Sequence, residues 1–387
     1  MADQSGPRRL LFLVNDARFF VTHILPLAQA TVRAGYDTHV ALPFQGAALD
    51  MADALSAIRG SGAQLHDLPM RRGGMAWLGE LAALLAIARL LVHLRPDILH
   101  CITIKPVLYG GLVARLLRTP RVIFFITGLG HVFIAQGLRA AVIRRLVMLA
   151  YRIVLRYGRA VTVFENEDDR GLFVDANLVK RGHTVLIRGC GVDSALFYPA
   201  VIAPPEPLVV LLPARLQYEK GVREFAAAAQ ILRDRGLGLR MALAGYADHD
   251  RPGGVSEAAL RAWCESGVVE WWGHSMRMPD TLRQAHIICL PSYREGFPKT
   301  LIEAAAAGLP IVTSDVPGCR DAVRAGETAL LVPPRDAQAL AEAIARLCRD
   351  PDLRASMGVR ARDLAVKEHS VTRFVDANLA LYARPPA

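Results

Sequence analysis

Ile287-Ile-Cys-Leu290-Pro-Ser-Tyr-Arg-Glu295-Gly-Phe-Pro-Lys-Thr300-Leu-Ile-Glu303-Ala-Ala-Ala-Ala-Gly308 reads as a strand, a loop and a helix in immediate succession. The apolar run predicts a strand ending near Leu290. Gly308 is a good residue to close the helix. Pro298 fits the first helical position. Phe297, just before it, cannot cap with its side chain as Ser, Thr, Asp or Asn could. The N–H groups of Lys299, Thr300 and Leu301 are then expected to lack a protein acceptor. Free N–H groups at a helix start beside a lysine suit a phosphate; the alternative is an ordinary strand–helix loop with solvated amides.

Glu295 lies in this loop and Glu303 about one turn into the helix. A carboxylate accepts two hydroxyl hydrogen bonds at once, which suits vicinal diols on a ribose or a sugar ring. The alternative is a surface glutamate plus one placed by the helix dipole. Upstream, Pro213-Ala-Arg215-Leu-Gln-Tyr-Glu-Lys220-Gly221 follows another apolar run. Arg215 as a fork and Lys220 as a point charge would hold a diphosphate beside a free helix start.

Outward from here, short apolar runs alternate with helical patterns along the whole chain. Leu10–Val14, Thr38–Leu42, Ile98–Cys101, Val122–Ile126, Val161–Phe164 and Val185–Ile187 form one series of expected strands. Leu208–Leu212, Met241–Ala244, Val268–Trp271, Ile287–Leu290, Ile311–Thr313 and Ala329–Val332 form a second. Continuous apolar strands separated by helices imply parallel sheets covered on both faces. Pro199, Pro204, Pro205 and Pro207 cluster between the series and mark a linker. The expected division is therefore 1–192, a linker at 193–207, a second domain at 208–362 and a C-terminal helix at 363–387 that returns to the first domain. Doubly wound domains bind ligands at the carboxyl ends of their strands. Two of them facing a central cleft would suit group transfer between two molecules.

The 387 residues, 52% hydrophobic and 21% charged, exclude disorder and fibrous classes and provide two cores. Residues 1–192 hold 23 Lys+Arg against 13 Asp+Glu, whereas 193–387 hold 23 of each. All of the net charge of +10 therefore sits in the first half, which suits an anionic membrane, an anionic substrate or nucleic acid. No aromatic-interleaved basic platform supports nucleic acid. From Gly137 to Arg159 there are six arginines and no acid. Arg145, Arg152, Arg156 and Arg159 share one helical face, with Ile143, Leu146, Leu149, Ile153 and Val154 elsewhere. That pattern predicts a membrane-surface helix, or else a solvated helix with a core face. No apolar run is long enough to span a bilayer; Leu81–Leu94 is interrupted by Arg89. The apolar stretch Leu10–Val14 is too short for a signal peptide. The six cysteines show neither C-x-x-C nor zinc spacing and read as reduced cytosolic thiols.

Taken together, these motifs resemble the family 4 retaining glycosyltransferases of the GT-B fold, over almost the whole chain. Glu295 and Glu303 match that family's paired-glutamate motif, and Arg215 with Lys220-Gly221 its diphosphate pair. Ile187-Arg-Gly-Cys-Gly-Val-Asp193 looks like its hinge. The resemblance implies that Glu303 binds ribose hydroxyls and Glu295 donor-sugar hydroxyls. It implies that Gly296, Phe297, Pro298, Lys299 and Thr300 face the diphosphate and sugar, and that His274, next to Gly273, lies near the base. Lys105-Pro-Val-Leu-Tyr-Gly-Gly111, Ile126-Thr-Gly-Leu-Gly130 and Phe164-x-Asn166-x-Asp168-Asp169 look like a bacterial subgroup extending lipid-linked glycans of O-antigen, capsule or N-glycan precursors, often from UDP-sugars. Thr127 stands where many members have a donor-contacting histidine; His131 is a candidate replacement. His23, Lys105, Thr127 and Gly128 are the candidates for the acceptor side of the cleft.

The expectation is thus a metal-independent retaining hexosyltransferase that needs no cofactor. It would be cytoplasmic and peripheral on the inner face of the membrane. Its partners would be a nucleoside-diphosphate sugar and a polyprenyl-diphosphate-linked saccharide, with no nucleic acid. A nucleotide-sugar epimerase of the same architecture, or a non-catalytic nucleotide-sugar-binding subunit, are the alternatives. Asp248-His-Asp250 mimics a metal-binding D-x-D in a loop setting.

Overall fold

The computed structural model describes residues 6–384 apart from 45–50, 71–76, 130–136, 202–205, 248, 250–252 and 276. The chain divides into two units, Met1–Cys190 with Phe374–Ala387, and Gly191–Arg373. The chain passes between them at residues 190–191 and 373–374, and one helix, Pro351–Glu368, runs across the limit expected at residue 362.

The first unit holds β1 (Arg9–Leu13), β2 (Asp37–Leu42), β3 (Gln64–Asp67), β4 (Ile98–Ile102), β5 (Arg121–Ile126), β6 (Ala160–Phe164) and β7 (Thr184–Leu186). They pair in parallel in the order β3-β2-β1-β4-β5-β6-β7. Helices α1 (Leu25–Arg33) and α2 (Met51–Gly60) share a core with one face of the sheet. Helices α3 (Trp77–Leu94), α4 (Ile104–Leu116), α5 (Leu138–Leu155) and α6 (Glu167–Asp175) share a core with the other. Right-handed crossovers produce this split, because the strand order grows one way from β1 and the other way from β4.

Local chemistry fixes these elements. Strands β4 and β5 are buried at every position, as expected between two helical layers. Gly110 and Gly111 let α4 press on the sheet: a Cβ at Gly111 would lie 2.2 Å from Val154 and 2.8 Å from Phe124. Asn166 caps α6, its Oδ1 accepting from the Asp169 N–H at 2.7 Å, a contact worth about 1 kcal/mol. The Asn166 and Asp169 of the quoted motif are accordingly a helix cap.

The second unit holds β8 (Val209–Pro213), β9 (Arg240–Ala244), β10 (Glu270–Trp271), β11 (Ile287–Leu290), β12 (Ile311–Ser314) and β13 (Ala329–Val332). Their order is β10-β9-β8-β11-β12-β13, again parallel throughout. Helices α7 (Val222–Asp234), α8 (Glu257–Glu265), α9 (Met278–Leu282), α10 (Lys299–Ala306), α11 (Ala337–Arg349) and α12 (Pro351–Glu368) cover its faces. The last helix, α13 (Val371–Ala383), starts in this unit and ends in the first. There Phe374 stacks on Phe125, and Tyr382 hydrogen-bonds the buried His100 at 2.6 Å. All twelve expected strands are present within a residue or two of their expected ends. The edge strand β3 was not anticipated, because its Gln64-Leu-His-Asp67 is largely polar.

The six cysteines are free, and burial pushes the Cys101, Cys289 and Cys319 thiols far above their ordinary range. Among the described residues no helix is long and apolar enough to cross a membrane.

Candidate active site

In the second unit the strand order reverses direction between β8 and β11, and ligands of open parallel sheets bind outside the carboxyl ends at such a point. The loop after β8 carries Arg215 and Lys220; the loop after β11 carries Glu295. The two loops touch. Lys220 Nζ donates to Glu295 Oε1 at 2.6 Å, and Ser292 Oγ donates to the same oxygen at 2.7 Å. Both charged side chains are largely buried, so the pair is poorly screened by water.

Glycines make this approach possible. Gly221 has φ +73°, and a Cβ there would lie 2.1 Å from the Pro291 carbonyl oxygen. Gly318, after β12, has φ +80° and leaves only 2.5 Å for a Cβ beside the Gly296 oxygen. From the same turn, the Pro317 carbonyl accepts from Glu295 N–H at 3.3 Å. Gly245, after β9, similarly passes the Ala214 carbonyl, and its N–H donates to Gly273 O at 2.8 Å. Sequence reasoning missed Ser292, Gly245 and Gly318. Only the Pro317-Gly318 pair, a turn signal at the end of a strand, could have pointed to one of them.

The start of α10 corrects two expectations. Pro298 is the N-cap residue with extended backbone, and the helix begins at Lys299. Its φ near −71° suits either place, so the ring sits one position earlier than the first turn. The Leu301 N–H, expected free, donates back to the Pro298 carbonyl at 3.0 Å, which tightens the first turn. No side chain caps the helix. Thr300 Oγ1 donates to the Pro213 carbonyl at 3.2 Å and ties the helix start to the end of β8.

Lys299 is the first residue of the helix. Its ammonium pairs with Glu303 one turn along and lies 5.3 Å from the centre of the Phe197 ring. Glu303 is buried. Phe297 turns its ring into the core, edge-on to His369 at 5.2 Å, so only its backbone borders the loop. Arg215 is exposed and has no side-chain hydrogen bond or ion pair to the described residues. His274, also exposed, stands edge-on to Tyr246 at 6.3 Å, beside Gly273. The arrangement is a charge-paired loop cluster, an exposed arginine with no side-chain partner among the described residues, and an uncapped helix. Such an assembly can take up an anion and present a carboxylate to hydroxyls.

Tyr293 borders the same loop. Burial, then the neighbouring Glu224 that accepts its hydroxyl at 2.7 Å, push its phenol up to about 12.

The first unit reverses strand order between β1 and β4. Here Thr103 Oγ1 donates to Asn15 Oδ1 at 2.9 Å. Thr103 has φ +73°, an unusual conformation for a β-branched residue. Thr127 and Gly128 follow β5, half-buried, with Gly128 at φ +123°. His23 lies in a π-helical stretch, Phe20–Ile24, its ring stacked on Phe19 at 4.2 Å. Lys105 is engaged by its own unit: its Nζ donates to Glu80 at 2.7 Å, and Tyr109 donates to the same carboxylate. His131, Asp248 and Asp250 lie outside the described residues. Among those described, no cluster of three His, Cys, Asp or Glu could hold a metal ion.

Comparison with known proteins now decides the family. Residues 198–364 match the model of the glycosyl transferases group 1, and residues 9–163 that of the glycosyl transferase 4-like proteins. The chain belongs to these glycosyltransferases. One relative of this glycosyltransferase is the N,N'-diacetylbacillosaminyl-diphospho-undecaprenol alpha-1,3-N-acetylgalactosaminyltransferase of Campylobacter jejuni, 27% identical over 77% of this chain and 80% of its own. Another is the capsular polysaccharide biosynthesis glycosyltransferase CapM of Staphylococcus aureus, 23% identical over 77% and 79%. Sucrose-phosphate synthase from Thermosynechococcus elongatus superposes with a TM-score of 0.78 over 97% of this chain and 98% of its own, at 21% identity. Anabaena HepE in complex with UDP and glucose gives 0.73 over 97% and 99%, at 16% identity. These likenesses establish the GT-B fold for the glycosyltransferase.

Proposed function

We propose that the enzyme transfers a hexose or N-acetylhexosamine, with retention, from a UDP-sugar to a polyprenyl-diphosphate-linked saccharide in bacterial surface polysaccharide assembly, without a metal ion. The observation that carries this reading is the Lys220–Glu295–Ser292 cluster at the switch point of the second unit, with exposed Arg215 on the same loop as Lys220. The Campylobacter jejuni relative, whose name specifies a diphospho-undecaprenol acceptor and an N-acetylgalactosaminyl group, supports the substrate classes.

The chemistry follows from charge. As the bond between the anomeric carbon and the diphosphate oxygen breaks, negative charge grows on the diphosphate. Arg215, Lys220 and the uncapped start of α10 supply positive charge there. Lys220 has three N–H donors, so it can keep Glu295 and still donate to a phosphate oxygen. Glu295 is thereby held in position to accept sugar hydroxyls, and Glu303 takes the ribose. The acceptor oxygen bonds to the anomeric carbon on the face that the diphosphate leaves, and its proton passes to the departing oxygen. None of these steps calls on a metal.

The test is transfer to a short-chain prenyl-diphosphate saccharide from a panel of UDP-sugars, followed by mass spectrometry and NMR of the new linkage. Stoichiometric UDP and an axial or equatorial configuration matching the donor are expected, at a rate that EDTA leaves unchanged. A new sugar isomer from donor alone would point to an epimerase, and UDP binding without transfer to a binding subunit.

A further inference from the structure

Tyr293 takes no part in the proposed reaction, yet it stands two residues before Glu295 and is held from several sides. Its N–H donates to the Glu219 carbonyl at 2.9 Å, in the short turn Tyr218–Lys220. Its hydroxyl donates to Glu224 Oε1 at 2.7 Å, in the first turn of α7. The Arg335 guanidinium lies 4.5 Å from the centre of its ring. Arg335 sits between β13 and α11 with φ +64°, a left-handed conformation that costs energy for any residue with a side chain. Its surroundings must hold it there. Tyr293 thus joins the chain segments that follow β8, β11 and β13 at the ligand edge of the second sheet.

The other restraints on Glu295 are softer. Ser292 belongs to the same loop and moves with it. Lys220 reaches Glu295 along a flexible stem, and in the proposed reaction it also serves the diphosphate. The Glu295 N–H meets the Pro317 carbonyl at 3.3 Å, longer than a usual bond of this kind. A tyrosine ring on its short stem is rigid by comparison, and this one is fixed by backbone, face and hydroxyl. Glu224 is a suitable anchor. A carboxylate is favoured near a helix start, and its Oε2 is buried without a hydrogen bond among the described residues. The Tyr293 hydroxyl therefore supplies the donor that this carboxylate has.

We propose that Tyr293 is a positioning residue: through Glu224 and Arg335 it fixes the loop that presents Glu295 to the donor sugar. It thereby sets how strictly the enzyme separates sugars that differ at one hydroxyl. This role rests on the reading of Glu295 as the acceptor of sugar hydroxyls.

The variants Tyr293→Phe, Glu224→Ala and the two combined are compared with the parent protein. Calorimetry gives UDP affinity, thermal melts give stability, and transfer from UDP-sugars epimeric at one hydroxyl gives rate and preference. With the preferred sugar, Tyr293→Phe should lower kcat by roughly ten- to a hundredfold, since a misplacement of about 1 Å can cost about 10². The disfavoured sugar should lose less, so the preference shrinks by several fold. UDP affinity should stay within about threefold, because Arg215 and the start of α10 are untouched. Glu224→Ala should behave alike, and the double variant no worse than either, because both substitutions delete one contact. Arg335→Ala should show the same pattern more weakly.

A lower melting temperature with parental kcat and sugar preference would overturn this role and leave Tyr293 a stabilising residue only. Additive losses in the double variant would overturn it too, by separating Tyr293 from Glu224. A parent protein that transfers no sugar from any donor would instead remove the proposed reaction, and this role with it.

Discussion

Lys105 meets Glu80 at 2.7 Å in the first unit, and Lys220 meets Glu295 at 2.6 Å in the second. Each pair is partly buried, and each glutamate takes a hydroxyl as well, from Tyr109 and Ser292 respectively. What surrounds them differs. Lys105 and Tyr109 lie on α4 and Glu80 on α3, so the first pair staples two neighbouring helices. Burial acts to raise the Glu80 carboxyl, but donation by Lys105 and Tyr109 outweighs it and holds the group below its ordinary range. The second pair joins two loops at a strand-order reversal, one of which also carries the exposed Arg215, near an uncapped helix start. On the proposed function, the same contact is a brace in one place and a resting state for ligand binding in the other.

Removing the lysines separates these roles most sharply. Lys220→Ala should lower turnover by about 10²–10³, the usual cost of deleting one donor to transition-state charge. Lys105→Ala should leave turnover within a few fold and lower the melting temperature instead. Steady-state kinetics and thermal melts of both variants provide the check. Equal losses of activity would erase the contrast and return Lys105 to the acceptor site.

Glycines offer the next contrast. Gly221→Ala places a Cβ 2.1 Å from a backbone oxygen at positive φ, so the two active-site loops must part. Donor affinity should fall at least tenfold, read by UDP titration calorimetry. Gly111→Ala meets the side chains of Val154 and Phe124 under α4. It should cost about 1–3 kcal/mol of stability by overpacking, with UDP affinity unchanged.

Much of this was legible beforehand, for a physical reason. Parallel strands covered on both faces must be apolar throughout, so β8 and β11 announce themselves and their following loops are the ligand edge. The Arg215, Lys220, Glu295 and Glu303 spacing then places chemistry on that edge. What remained hidden depends on partners far away in sequence. Nothing near Lys105 shows that Glu80, on the preceding helix, claims it. Periodicity in 137–159 shows that the helix is amphipathic, yet it cannot tell which apolar residues face the core. Val154 does, whereas Ile143, Leu146, Leu149 and Ile153 do not. Polar Gln64–Asp67 concealed a strand because an edge position tolerates it.

A smaller effect, again on one unit, comes from His100. Burial drives its imidazole down to about 3, against about 6.5 in an unfolded chain. Between those values the unfolded state binds the extra proton, so stability is intact above pH 6.5 and falls as pH drops toward 3. The slope contributed is at most about 1.4 kcal/mol per pH unit. His100→Gln, which can still hydrogen-bond Tyr382, should remove that share of the slope in urea unfolding measured between pH 7 and 5.

The subtlest test returns to the two pairs through their hydroxyls. Ser292→Ala removes one donor from Glu295 but leaves Lys220 to hold it. A hydrogen bond to a charged group contributes about 1.5–3 kcal/mol, and the remaining ion pair should absorb much of the loss. A drop of several fold in kcat/KM is therefore expected, with the donor-sugar preference loosened, because Glu295 keeps its charge and loses a positional restraint. Tyr109→Phe makes the matching deletion at Glu80. There the carboxyl should rise toward its ordinary value, the stability it lends above that value should shrink, and kcat/KM should not move. A change in sugar preference with Tyr109→Phe would mean that the brace between α3 and α4 also shapes the acceptor side.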